Sequence, residues 1–138
     1  MALPLLQWFR KNKIPIQALG LQSHLKAKEK STDYSGLRKF LKEVTALDLQ
    51  IFVTELDVDD SELSADAERR EREAASVARE YLEVVLKQPQ VTAVPTWGMV
   101  SHSRHGKDGD SGHVELPYSE SLQPSAFFGA MVEALQKG

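Results

Sequence analysis

The stretch "LQIFVTELDVDD", residues 49–60, decides how the chain is read. Leu49 to Val53 has the composition of a buried strand, yet the run closes on Glu55 and Asp57, two carboxylates that a core does not accept unpaired. Strand side chains alternate between faces. Leu49, Ile51, Val53, Glu55 and Asp57 are therefore expected on one face and Phe52, Thr54 and Leu56 on the other.

Outward from this strand, two apolar periods alternate. Leu3, Leu6 and Phe9 recur at helical spacing ahead of the basic turn Arg10-Lys11-Asn12-Lys13, which suits a helix C-terminus. "IPIQALGLQSHL" (14–25) reads as a buried strand. "YSGLRKFLKEVTAL" (34–47) then places Leu37, Phe40, Leu41 and Val44 on one helical face, and Asp48 turns the chain into the strand quoted above. Ser64, followed by the acids Asp66 and Glu68, predicts a helix start; Ala74, Val77, Ala78, Tyr81, Leu82 and Val85 keep the 3.6 period up to Pro89. The charged run "DAERREREAA" (66–75) is its solvated face. "VTAVPTWGM" (91–99) is a third strand, with Pro95 removing one ladder donor. Residues 101–115 are polar and rich in Gly, Asp and His, which predicts a long loop, and residues 126–135 form a closing helix.

Helix and strand in strict alternation mark parallel βα units, because parallel strands need a crossover and the crossover is usually a helix. The fold class is α/β, with about three parallel strands alternating with four helices. So few strands make neither a closed barrel nor a usual doubly wound sheet.

In parallel α/β folds, ligands bind where the strands end at their carboxyl side, because the βα loops form a mouth there. Gln22 and His24 lie on one face at the end of the first strand, Glu55 and Asp57 at the end of the second, and Trp97 at the end of the third. Polar and aromatic side chains thus converge on one edge. The plainer alternative is that the two acids are solvated strand ends, His24 a satisfied histidine and Trp97 core filling.

Composition excludes several other classes. The 138 residues, 41% hydrophobic and 27% charged, suit a single domain over 1–138 and are too charged for a membrane protein. With 17 basic and 20 acidic residues and no basic stripe interleaved with aromatics, nucleic acid is not an expected partner. No cysteine is present, which removes disulfides and thiolate chemistry. Residues 1–13 lack a basic region ahead of an apolar run, so no signal peptide is expected. His102, His105 and His113, with Asp108 and Asp110, could surround a metal, but their spacing matches no zinc pattern of fixed geometry. A solvated loop is expected there, with no metal and no cofactor.

"LGLQSHL" (19–25), "IFVTELDV" (51–58) and "TWG" (96–98), in this order and with these intervening helices, resemble the last strands of glycoside hydrolase family 10 endo-β-1,4-xylanases. "ALPLLQWFRKNKIPIQ" (2–17) and "LPYSESLQPSAFFGAMVEAL" (116–135) extend the resemblance over practically the whole chain. It implies part of a (β/α)8 TIM barrel, strands six to eight, and xylan or xylo-oligosaccharide as substrate. It further implies that Glu55 is the nucleophile of a retaining mechanism, that His24 hydrogen-bonds it with Asp57 next in line, that Gln22 contacts the sugar beside the scissile bond and that Trp97 packs against a sugar face. The family is commonly secreted.

This chain departs from the family pattern at defined positions. The acid/base glutamate of the family's fourth strand has no counterpart in these residues. In the W-G-x-x-D…W pattern, Ser101 replaces the aspartate and His105 the second tryptophan, and Ser119 replaces the aspartate of "LPxD". Glu115 is the chain's own candidate for a second carboxylate, by loop position alone. A section of barrel is also expected to expose strand edges and the inner face carrying Leu49, Ile51 and Val53, which implies a homodimer or association with the missing barrel half. A noncatalytic carbohydrate-binding half-barrel is the alternative function.

Overall fold

The computed structural model describes residues 2–28, 32–63, 66–105 and 111–137. The apolar spacing at the start winds into α1 (Leu3–Lys11), with Pro4 in the first turn, where its missing amide costs no hydrogen bond. Arg10 closes the helix and reaches further. Its Nε donates to the Leu47 carbonyl at 2.8 Å and a terminal nitrogen to that of Asp48 at 2.6 Å, tying α1 to the end of α2 (Ser35–Thr45).

The expected first strand is β1 (Ala18–Leu21) followed, after a break at Gln22 and Ser23, by β2 (His24–Lys26). The second is likewise divided into β3 (Gln50–Val53) and β4 (Asp57–Asp59). Then come α3 (Ala67–Val85), β5 (Val91–Ala93), β6 (His102–His105), β7 (Ser111–Glu115) and α4 (Ala126–Lys137). β1, β3 and β5 form the expected sheet of three parallel strands, in the order β1-β3-β5. A second sheet, β2-β4-β7-β6, continues from its carboxyl end: β2 and β4 pair in parallel, and β7 runs antiparallel to both β4 and β6.

Two expectations are corrected here. The third strand ends at Ala93 instead of Met99, and the stretch expected as a loop over residues 101–115 carries the β6–β7 hairpin, with His102 paired to Val114 and His105 to Ser111. β6 is the edge strand of its sheet, where polar residues are usual, whereas β7 is paired on both flanks, with β4 and β6. Asp108 and Asp110 lie outside the described residues, as does the expected helix start at Ser64. α3 is capped instead by Asp66, whose carboxylate accepts the Arg69 amide at 3.0 Å and is held below its ordinary pKa by that bond.

The core lies between the parallel sheet and its helices. Leu49, Ile51 and Val53 are at most 1% exposed and belong to one buried cluster with Leu41 and Val44 of α2 and Leu82 and Val85 of α3. The expectation that this face stands open is therefore overturned: it is the face the crossover helices cover. The less covered face carries Gly20, Phe52 and Ala93, which are paired in register across the three strands. α3 and α4 pack side by side, with Ala74, Ala78, Ala130 and Ala134 all buried, and are pinned at the rim by ion pairs Arg79–Glu133 (3.1 Å) and Lys137–Glu83 (3.7 Å). Glu71 of α3 also accepts the Ala126 amide at 2.9 Å, satisfying an N-terminal donor of α4. Among the described residues, no helix is long and apolar enough to cross a membrane.

Phe127 is the largest side chain buried completely. Phe127→Ala is expected to cost about 3–5 kcal/mol of stability, whereas Leu135→Ala, at a half-exposed position of the same helix, should stay within about 0.5 kcal/mol. Urea denaturation midpoints with unchanged slopes check both; a small loss at Phe127 would mean that α4 is not docked on this core.

Candidate active site

The site is built where both divided strands break. Past Leu21 and Val53 the ladder loosens without ending: the Thr54 amide donates to Leu21 (2.8 Å), the Glu55 amide to Gln22 (3.0 Å) and the Asp57 amide to Ser23 (3.4 Å), after which His24 and Asp57 pair as β2 and β4. On the other flank, the Leu56 amide donates to Pro95 (3.2 Å) and the Trp97 amide to Leu56 (3.0 Å). These bonds bring residues 22–24, 55–57 and 97 side by side at the carboxyl ends of the parallel strands. The expected alternation does not run through the break. Glu55 sits at a bend with its side chain 21% exposed, while Ile51 and Val53 are fully buried. Leaving the ladder frees the acid from the core face that strict alternation assigned it.

His24 stands between the two carboxylates. Its Nδ1 lies 3.0 Å from Asp57 Oδ1 and its Nε2 3.2 Å from Glu55 Oε2, and Asp57 is buried whereas Glu55 opens to solvent. A neutral imidazole carries one N–H and can donate to only one of these acids; the imidazolium donates to both. The His24 pKa is accordingly raised above 6.5, first by the hydrogen bond with Asp57, against partial burial that opposes it, and then by the charge of Asp57 and the bond and charge of Glu55. The Trp97 ring meets the imidazole edge-on at a centroid distance of 6.1 Å and is 59% exposed, so core filling is not its role. Gln22 is exposed beside it and gives its carbonyl to Glu55. All five residues singled out in the sequence are thus at one strand end.

Glu115 is not among them. It is 6% exposed in β7, where Oε2 accepts from Ser101 Oγ at 3.3 Å and Oε1 lies 2.8 Å from His113 Nδ1. These residues line a separate cavity of about 390 Å³ with Asp60, Arg70 and Glu120. Asp60, His113 and Glu115 come within 4.8 Å of one another, close enough to suggest a metal. Their donors are committed otherwise: Asp60 accepts the His113 amide at 2.9 Å and the Arg70 guanidinium at 3.0 Å, and Glu115 is shared by Ser101 and His113. The cluster reads as a clamp joining the hairpin to β4 and α3. His113 is partly buried in it, contrary to the solvated loop expected. Sequence reading missed the pairing because it joins residues 60, 70, 101 and 113–115 with no local spacing.

Ser101 is 2% exposed; its single hydroxyl proton is shared between Leu116 O and Glu115 Oε2, both at 3.3 Å, and its oxygen accepts the Leu116 amide. Ser119 bonds Ser121 and the Gln123 amide, closing a turn.

The model of glycosyl hydrolase family 10 matches residues 1–134. Endo-1,4-beta-xylanase B from Thermotoga neapolitana is 26% identical over 129 residues, 93% of this chain and 36% of that protein. Among solved structures, native xylanase 10B from Thermotoga maritima superposes with a TM-score of 0.84 at 25% identity, covering 99% of this chain and 41% of that one. Xylanase 10B from Thermotoga petrophila, in complex with xylobiose, gives 0.83 at 24%, covering 97% and 40%. The chain spans about two-fifths of the length of these relatives. The parallel sheet and its helices are thus part of a TIM barrel.

The histidine bridge has a measurable signature. Because folding raises the His24 pKa, the bridge contributes stability that is fully present below the unfolded value of 6.5 and is lost as pH rises through the folded value. His24→Gln should flatten that fall in the denaturation midpoint with rising pH. An equal fall in both proteins would place the imidazole outside this pair of acids.

Proposed function

The chain belongs to glycosyl hydrolase family 10, and on that footing we propose that residues 1–138 form the C-terminal section of a retaining endo-β-1,4-xylanase barrel in which Glu55 is the nucleophile. The observation that carries the reading is the bridge itself: one partly exposed carboxylate, oriented by an imidazole that a buried carboxylate holds in turn. With Oε2 bonded to His24, the Glu55 carboxylate is fixed in rotation, and Oε1 is the oxygen presented to the anomeric carbon. Attack forms a glycosyl-enzyme ester as the bond to the leaving sugar breaks and an acid group protonates the departing oxygen; water then cleaves the ester from the same side as the leaving group, so configuration is retained. Asp57 keeps the imidazole turned toward Glu55. Trp97, exposed beside the bridge, offers its ring to the apolar face of a pyranose, and Gln22 its amide to the sugar hydroxyls. Xylan and xylo-oligosaccharides are the substrate class, in keeping with the xylobiose held by the Thermotoga petrophila relative.

A retaining pair needs a second carboxyl about 5 Å from the first. Glu115 does not serve, since it is turned to Ser101 and His113 in its own cavity. That observation favours a second reading for the 138 residues on their own: a section that holds sugar without cleaving it, until further barrel strands supply the acid. The flanks of β1 and β5 that face away from β3 are the strand edges of the parallel sheet. We propose that a second copy or the complementary barrel section covers them.

Glu55→Ala should reduce turnover of an aryl β-xylobioside, by this chain alone or complemented, by 10³-fold or more, on the order expected when a nucleophile is removed; the product of the active protein should keep its anomeric configuration by proton NMR. Turnover surviving in Glu55→Ala moves the nucleophile elsewhere, and inversion discards the mechanism. If a second copy covers the edges, light scattering at micromolar concentration should give a mass above that of one 15.4 kDa chain; a monomer with cooperative unfolding rules out the second copy and leaves the complementary section.

A further inference from the structure

Ser23 lies between the two residues that carry the first strand's share of the site, Gln22 and His24, and its backbone is left-handed, with φ +68°. This region is disfavoured for any residue with a Cβ, and Gly or Asn is its usual occupant. A serine held there, beside a catalytic constellation, is over-determined by its surroundings. The structure identifies what holds it. Ser23 Oγ bonds the Leu21 carbonyl at 3.2 Å and the hydroxyl of Tyr81, while the Ser23 carbonyl receives the Asp57 amide at 3.4 Å. Tyr81 comes from the C-terminal part of α3, is 4% exposed, and packs its ring against Tyr34 at a centroid distance of 6.2 Å.

A buried phenol whose hydroxyl reaches one strand break is not needed for packing, which the ring alone supplies. We propose that Tyr81 is a positioning residue for the site: its hydroxyl holds Ser23 in the left-handed conformation, and that turn aims the His24 imidazole between Glu55 and Asp57. The inference rests on the reading of His24 as the group that orients the nucleophile. Its geometry is separable from that reading. The turn at 22–23 shifts the chain from β1 to β2, the stretch 54–56, one residue longer, carries β3 into β4, and the ladder resumes with His24 opposite Asp57. Relaxing Ser23 toward an extended backbone would rotate His24 relative to both acids.

The test is the titration of the His24 ring, followed by NMR in the 138-residue chain. Tyr81→Phe keeps the ring and removes the hydroxyl; the His24 midpoint should fall from its raised value toward 6.5, with chemical-shift changes concentrated at residues 22–24 and 55–57. Glycine adopts positive φ without a steric penalty, so adding Ser23→Gly to Tyr81→Phe should return the midpoint toward that of the unmodified protein. Ser23→Ala, which removes the same bond from the other end, should act like Tyr81→Phe and replaces it if that variant does not fold. A His24 midpoint unmoved by loss of the Tyr81–Ser23 bond overturns the proposal, as does failure of glycine to restore it. Loss of the midpoint shift together with full turnover in Glu55→Ala would instead leave Tyr81 in its role and discard the functional reading.

Discussion

Parallel pairing that survives its own interruption is the constraint on which this structure depends. β1 and β3 run side by side, both strands break at the same height, and they resume as the parallel pair β2 and β4 one residue out of the earlier register, Leu21 lying opposite Val53 and His24 opposite Asp57. The amides of Thr54, Glu55 and Asp57 bridge the gap to Leu21, Gln22 and Ser23. An interruption in one strand alone would orphan backbone donors, at a cost of about 1–3 kcal/mol for each one buried. Matched interruptions let the chain turn polar side chains out of the core plane while every strand end keeps partners. The site is a consequence of that matching.

The division of labour between the two faces of β3 follows. Ile51 and Val53 face the crossover helices and are fully buried, together with Leu82 and Val85 of α3. The core is thus complete on the helical side, and the sheet's stiffness is transmitted to the break through Tyr81, which belongs to the same cluster and touches Ser23. Helix packing and site geometry meet in one side chain.

The sequence made the parallel sheet and its helices legible because their information is periodic: Leu37, Phe40, Leu41 and Val44 mark a helical face, and the run 49–53 marks a strand. Gln22, His24, Glu55, Asp57 and Trp97 were legible for a related reason, since chemistry-bearing residues at successive strand ends of a parallel sheet must share an edge. What escaped was information that is neither periodic nor local. Nothing in "LGLQSHL" announces that Ser23 is left-handed, and simple alternation sent Glu55 to the core face because a bend leaves no mark in composition. The β6–β7 hairpin was hidden by its polarity, which reads as loop when no apolar alternation accompanies it, although only β6 of the two lies at the sheet edge. Its anchor, Asp60 with Arg70 and His113, spans more than fifty residues.

The exchange at position 101 carries a consequence for how this chain can vary. Where the family pattern has an aspartate, a serine lies buried with its hydroxyl 3.3 Å from Glu115 of β7, so the negative charge of this layer sits on the opposite strand. An aspartate at 101 would face Glu115 without a hydroxyl to donate, in a cavity that Asp60 and Glu120 already line, and would add like charge to that layer. Positions 101 and 115 are therefore coupled through one hydrogen bond, and the side chain that fits at 101 depends on the carboxylate that faces it from 115.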